Sequence, residues 1–159
     1  MCVSYRALNA RTLPFKYPIP RCIDAIENLG DASGRLYFIS LDARQGFHQI
    51  LVRLSDQEKL AFFAPDEKKH TFTVMPFGPR NGPATYTAMM HHLKEKWDHR
   101  FYLREPGTLP IHGSNSIIDD ILCWSTCPQL LLSYFQCICE VFVEYRVSFR
   151  LDKCEFFMD

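Results

Sequence analysis

The spacing of apolar residues changes several times along the chain, and each change predicts an element. Residues 36–41 (Leu36-Tyr37-Phe38-Ile39-Ser40-Leu41) form a nearly continuous apolar run ending on Asp42, the length and composition of a buried strand. Leu131, Tyr134, Phe135, Ile138, Val141, Phe142 and Tyr145 recur at the helical period behind Pro128, the clearest helix signal in the sequence. A second helix is predicted from Pro83 to about Trp97, carried by Tyr86, Met89, Met90, Leu93 and Trp97. A shorter one rests on Ile23, Ile26 and Leu29, with Gly30 where it stops.

Between these lie weaker signals. Pro14, Pro18 and Pro20 predict an extended stretch over residues 11–22, and residues 31–35 read as a turn. From His48 to Leu54 the pattern alternates, with Ile50, Val52 and Leu54 on one side, as in a strand. Short strands over residues 60–63 and 71–75 flank a polar turn with Pro65, Asp66 and Lys68, the signature of a hairpin. Residues 76–83 are a Gly- and Pro-rich loop, and residues 104–115 an irregular excursion. In Ile117-Ile118-Asp119-Asp120-Ile121-Leu122 two apolar half-strands meet at adjacent acids, which predicts a tight hairpin, and a last strand covers residues 147–151.

From Leu36 onward the main elements run strand, helix, hairpin, helix, strand, with further strands inserted before the first helix. That order predicts an α+β fold on the split β-α-β (ferredoxin-like) plan, an antiparallel sheet backed by two helices. The 159 residues suit a single domain, and the sequence has no repeat, low-complexity tract or linker. With 47% hydrophobic residues and 14% aromatic ones, a packed core is expected rather than disorder. Eighteen basic residues balance eighteen acidic ones, so any attraction to nucleic acid must come from local surface. No apolar run reaches membrane-spanning length and the N-terminus lacks a signal-peptide core, which suits a soluble intracellular protein with no membrane partner.

Seven cysteines include Cys123, Cys127, Cys137, Cys139 and Cys154, but no C-x-x-C pair. Buried reduced thiols are the better reading than a zinc or redox site. The acids matter more. Asp42 ends an apolar strand, and Asp119 and Asp120 interrupt another. Either site alone reads as a turn or strand-end acid. In the split β-α-β plan, however, the first strand and the hairpin are sheet neighbours, so the three carboxylates converge. Carboxylates that close repel each other unless a cation neutralises them, and oxygen-only ligands favour Mg²⁺ or Mn²⁺. The residues themselves support a possible two-metal phosphoryl-transfer site.

Several ordered motifs then identify a family. Cys2-Val3-Ser4-Tyr5-Arg6-Ala7-Leu8-Asn9 and Tyr17-Pro18-Ile19-Pro20-Arg21 resemble segments in the fingers of reverse transcriptases from gypsy-class LTR retrotransposons and their retroviral relatives. Ser40-Leu41-Asp42-Ala43-Arg44-Gln45-Gly46-Phe47-His48-Gln49-Ile50 resembles their first catalytic motif, and Ile117-Ile118-Asp119-Asp120-Ile121-Leu122 the second. Met75-Pro76-Phe77-Gly78 with Asn81-Gly82-Pro83-Ala84-Thr85 is similar to the template- and nucleotide-contacting loop and its helix. Leu151-Asp152-Lys153-Cys154-Glu155-Phe156-Phe157 is similar to the segment that closes the palm.

The resemblance implies an RNA-directed DNA polymerase, adding dNTPs to a primer 3′-hydroxyl on an RNA or DNA template with Mg²⁺ or Mn²⁺. It makes Asp42, Asp119 and Asp120 the catalytic carboxylates and metal ligands. Ala43, Arg44, Phe47, Phe77 and Gly78 would line the nucleotide site, with the Phe47 ring excluding a ribose 2′-hydroxyl. Arg80 and Lys153 would contact nucleic acid. The plainer alternatives are a core phenylalanine at 47 and solvated side chains at Arg44, Arg80 and Lys153.

Four departures stand out: Ile117 where the family usually has tyrosine, Ser4 where an aspartate is expected, Gly82 where alanine is usual, and a long irregular 98–115. The resemblance also implies an incomplete unit, about 1–35 and 48–80 fingers-like and the remainder palm, lacking thumb, RNase H and integrase. These would be other parts of a pol polyprotein. A catalytically inactive remnant or a nucleic-acid-binding module is the alternative function.

Overall fold

A computed structural model describes residues 3–18, 35–107, 112–117 and 120–158. The predicted helix at Ile23–Leu29 and the turn at residues 31–34 lie outside them. Four strands form the main sheet: β1 (Tyr37–Asp42), β4 (His112–Ile117), β5 (Asp120–Ser125) and β6 (Glu155–Met158). Their spatial order is β4-β5-β1-β6, and every neighbouring pair is antiparallel. Two long helices, α3 (Gly82–Arg104) and α4 (Pro128–Tyr145), back it. The split β-α-β plan is therefore borne out.

Strand alternation divides the sheet into two faces. Ile39 and Leu41 of β1 and Ile121 and Cys123 of β5 pack with Tyr86, Met90, Leu93, Trp97 and Phe101 of α3 and with Leu131, Tyr134, Ile138 and Phe142 of α4. Ser40, Asp42, Asp120 and Leu122, in the alternate positions, belong to the face away from the helices. Pro128 opens α4, fitting a first turn whose N–H groups have no intrahelical acceptor.

A buried polar cluster fastens β4 to both helices. The Trp97 indole donates to the Tyr134 hydroxyl at 3.0 Å and to Ser114 Oγ at 3.3 Å. Tyr134 in turn donates to Asp98, whose other oxygen holds Lys94 Nζ at 2.6 Å. Burial, and then the Asp98 charge, push the Tyr134 hydroxyl well above its ordinary pKa, so it stays a donor. Arg100–Glu144 (2.6 Å) and Arg104–Glu140 (2.9 Å) also join α3 to α4. Both pairs are solvent-accessible, so each contributes at most about 1 kcal/mol.

Elsewhere the chain departs from the expected pattern. Helix α3 continues to Arg104, because Phe101 falls one turn beyond Trp97 and is fully buried. Residues 112–117, expected to be irregular, are strand β4. Gly113 belongs there because a Cβ would lie 2.7 Å from the Trp124 ring packed over it. No strand spans residues 48–54. The chain makes a 3₁₀ turn at Gly46–Gln49, one bridge between Leu51 and Val74, and a helical turn, α2 (Leu54–Gln57). Ile50 and Val52 reach the core, but Leu54 is 84% exposed, which ends the alternation.

The expected hairpin exists in shorter form, β2 (Phe62–Phe63) with β3 (Lys69–His70), while Val74 pairs with Leu51 instead. Of residues 147–151 only Phe149 bridges the sheet edge, to Ala43. The last strand is β6, reached through a 3₁₀ turn at Leu151–Lys153. A short helix without a sequence signal, α1 (Arg6–Arg11), precedes the extended residues 13–18. Among the described residues no helix is long and apolar enough to cross a membrane.

Cys123 and Cys137 are buried free thiols, and burial raises the pKa of both and of Cys139. We expect Cys123 and Cys137 to resist iodoacetamide in the native protein at pH 8 and to react once urea unfolds it. Peptide mass spectrometry over a labelling time course checks this; native-state labelling of Cys123 as fast as of Cys127 would contradict the packing.

Candidate active site

Strand β1 enters the sheet as a buried hydrophobic run and delivers its first charge, Asp42, at its end. Register places Asp42 directly opposite Asp120, the first residue of β5. The β4–β5 register pairs Ile117 with Asp120, the tight hairpin that the two half-strands predicted. Asp119 and Ile118, between them, lie outside the described residues. The sheet thus brings together two of the three expected acids. Two like charges directly opposed across a ladder destabilise it unless something neutralises them. The Asp42 side chain retains 21% exposure and has Lys153 Nζ at 3.7 Å, while Asp120 is exposed.

Behind Asp42 the backbone is tightly fixed. Arg150 N–H donates to the Asp42 carbonyl at 2.9 Å, and Arg44 N–H to that of Ser148 at 2.9 Å. Gln49, to which sequence reasoning assigned no role, ties the same two segments. Its amide donates to the Arg44 carbonyl at 2.6 Å and accepts from Ser148 N–H at 2.7 Å. Ala43 is buried against Phe149. An open cavity of about 500 Å³, lined by Arg44, Gln45, Phe149, Arg150, Leu151 and Asp152, lies beside this knot. Asp152 accepts from Arg150 at 2.9 Å; that bond holds its carboxyl below the usual range and raises the guanidinium. Arg44, Arg150 and Lys153 stand at this end of the sheet beside Asp42, Asp120 and Asp152, with Arg150 bonded to Asp152 and Lys153 nearest Asp42.

Phe47 lies on the 3₁₀ turn that follows. It meets Tyr86 of α3 edge-on at 5.4 Å between ring centroids and Phe77 at 5.1 Å. Partly buried against the core, it still keeps exposed surface, while Phe77 is 59% exposed. Next to it, Gly78 has φ +105°, a conformation that side chains rarely adopt. A Cβ there would also stand 3.2 Å from the Tyr5 ring. Arg80 N–H donates to Asn9 Oδ1 at 2.8 Å, and its guanidinium reaches the Thr12 carbonyl at 3.5 Å.

The described residues contain no group of three His, Cys, Asp or Glu side chains able to hold a metal. Asp42 and Asp120 bring carboxylate oxygens to one sheet end, donors whose hardness favours hard divalent cations over soft metals.

Known proteins resemble this chain along most of its length. The Pol polyprotein of transposon 297 from Drosophila melanogaster is 31% identical over 156 residues, covering 97% of this chain and 13% of that protein. The Pol polyprotein of transposon opus, also from Drosophila melanogaster, is 40% identical over 90 residues, 57% of this chain and 9% of that one. The chain thus spans about an eighth or less of these curated relatives. Among solved structures, foamy viral protease-reverse transcriptase in complex with ds DNA superposes with TM-score 0.74 at 22% identity, covering 98% of this chain and 24% of that one. The reverse transcriptase (RNA-dependent DNA polymerase) family matches residues 1–159, and the chain belongs to it.

Proposed function

We propose that this chain carries the catalytic carboxylates of an RNA-directed DNA polymerase from a retroelement pol polyprotein, selecting dNTPs and joining them to a primer 3′-hydroxyl. The observation that carries the reading is the direct opposition of Asp42 and Asp120 across β1 and β5, with Asp119 next in the chain. That a foamy viral reverse transcriptase has been solved with an RNA/DNA hybrid on the same fold supports primer-template as the partner.

Asp42, Asp119 and Asp120 hold the divalent cations. When bound, Mg²⁺ or Mn²⁺ supplies Lewis-acid stabilisation of phosphoryl oxygens and favours the ionised primer hydroxyl. The chain's own residues do the selecting. The exposed edge of Phe47 closes the space beside the sugar, so a 2′-hydroxyl meets the ring. Phe77 and Gly78 lie along the base, with Gly78 allowing the backbone to come close. Arg44 lines the cavity where triphosphate oxygens fit, and Ala43, buried against Phe149, seats the backbone that presents it to the nucleotide. Lys153 and Arg80 meet primer or template phosphates, which position the nucleic acid without reading its sequence.

Calorimetric titration of Mn²⁺ with dTTP present tests the reading: nucleotide-dependent metal binding is expected. RNA binding that persists in EDTA, with no nucleotide-dependent metal binding, would instead favour a non-catalytic nucleic-acid module. Phe47→Val should selectively strengthen binding of the ribo counterpart of dTTP, narrowing the preference for the deoxy form by on the order of 10- to 100-fold. An unchanged ratio would remove Phe47 from the sugar site.

A further inference from the structure

The loop that carries Phe77 and Gly78 closes on itself through Gly82 N–H donating to the Pro79 carbonyl at 3.1 Å, and side chains from elsewhere hold the rest. Its geometry depends on two asparagines that read each other's segments. Asn9, on α1, donates from Nδ2 to the Gly78 carbonyl at 2.9 Å and accepts at Oδ1 from Arg80 N–H at 2.8 Å. Asn81, at the other end of the loop, donates from Nδ2 to the Leu13 carbonyl and accepts from Phe15 N–H, both at 2.9 Å. Each amide therefore pairs with a carbonyl and an N–H two residues apart, as a neighbouring strand would.

Asn81 is also the N-cap residue of α3, yet its side chain makes no capping bond. A capping asparagine ordinarily contributes to helix stability; here the side chain is used to hold the N-terminal segment instead. Tyr5 completes the attachment, its hydroxyl donating to the Leu60 carbonyl at 3.3 Å and its ring covering Gly78.

We propose that Asn9 is a positioning residue for the nucleotide pocket, its amide holding residues 78–80 so that the Phe77 ring stays edge-on against Phe47. This deepens the reading of Phe47, Phe77 and Gly78 as the nucleotide site and rests on it. Without the clamp, Gly78, free of any Cβ, leaves the loop several backbone conformations. The ring–ring distance of 5.1 Å is then no longer enforced. Asn9 touches neither nucleotide nor metal in this scheme. Its loss acts on nucleotide affinity and leaves the Asp42–Asp120 end of the sheet alone.

The test compares the parent chain with Asn9→Ala and Asn9→Asp, using Mn²⁺ alone, Mn²⁺ with dTTP, and the NMR cross-relaxation between the Phe47 and Phe77 rings. The conservative Asn9→Asp keeps an acceptor for Arg80 N–H but sets an oxygen against the Gly78 carbonyl, and it carries the test if the alanine variant does not fold. In both variants the ring–ring signal should collapse. Affinity for dTTP should fall about tenfold, the scale of one or two lost hydrogen bonds, while Mn²⁺ binding alone stays at the parent value. An undiminished ring–ring signal, or parental dTTP affinity in a folded variant, overturns the positioning role. A parent chain that binds Mn²⁺ but no dTTP overturns the nucleotide site itself and the clamp's purpose with it.

Discussion

Asp42→Asn is expected to abolish nucleotide-dependent Mn²⁺ binding while leaving the protein as stable as its parent or slightly more so. Removing a residue that merely orients a metal ligand typically costs roughly 10- to 100-fold in affinity. Loss of a direct carboxylate should therefore exceed about 100-fold. Stability moves the other way for a structural reason. Asp42 and Asp120 face each other in register, and like charges directly opposite destabilise a ladder by some tenths of a kcal/mol, up to about 1. The asparagine removes that repulsion. The Arg150 N–H bond is to the backbone carbonyl of residue 42 and survives. Lys153 loses a partner at 3.7 Å but is itself half exposed, so water replaces it at little cost.

Calorimetry with dTTP and a thermal melt on the same preparation check the pair of outcomes. Full retention of binding would show that the sheet end is no metal site. Loss of binding together with a lowered melting temperature would show that Asp42 is there for the fold. A functional carboxylate held against another carboxylate should reveal itself as a local liability, and a structural one should not.

How far the sequence foretold this site depends on which interaction positions each residue. Asp42 was legible because a buried strand announces its own end: six residues of apolar run leave no ambiguity about where the first charge appears. Its meeting with Asp120 followed from element order alone, since the split β-α-β plan makes β1 and β5 neighbours. Helix α4 was legible because one face is apolar throughout. Helix α3 was legible only to Trp97, since Asp98, His99 and Arg100 interrupt the pattern before Phe101 resumes it. Val147 to Leu151 misled because Val147 and Phe149 do pack against the core, but Phe149 makes only a single bridge and the chain then turns at Leu151–Lys153.

Asn9 and Gln49 were beyond reach for a different reason. Each joins a side-chain amide to backbone 69 or 99 residues away. Such bonds leave no period and no composition bias, and polar residues in loops look alike until the fold brings them together.

Trp97→Ala should be the most damaging single change to the scaffold. The indole is fully buried between α3, α4 and β4, and it carries both volume and a donor. Truncating a buried tryptophan costs about 3–5 kcal/mol through lost burial and the cavity left behind. Here the Ser114 and Tyr134 hydroxyls also lose their shared N–H donor, though they keep each other at 2.8 Å, so this loss adds only on the order of 1 kcal/mol. A domain of this size commonly has only about 5–15 kcal/mol to lose, so the melting temperature should drop by roughly 6–20 °C.

The variant brings its own probe. The sequence has two tryptophans, so Trp97→Ala leaves Trp124 as the only indole. Trp124 lies against Gly113, on the ladder that presents Asp120. A red-shifted Trp124 emission below the new melting temperature would mean that β4 has come away from the helices and the acid pair has loosened with it. An unshifted emission with a lowered melting temperature would mean that the β4–β5 ladder keeps its register without the anchor, and the acid site should then bind metal at parental strength in the cold. Trp97→Phe separates volume from hydrogen bonding: most of the loss should be restored, and what remains measures the N–H donor shared by Ser114 and Tyr134.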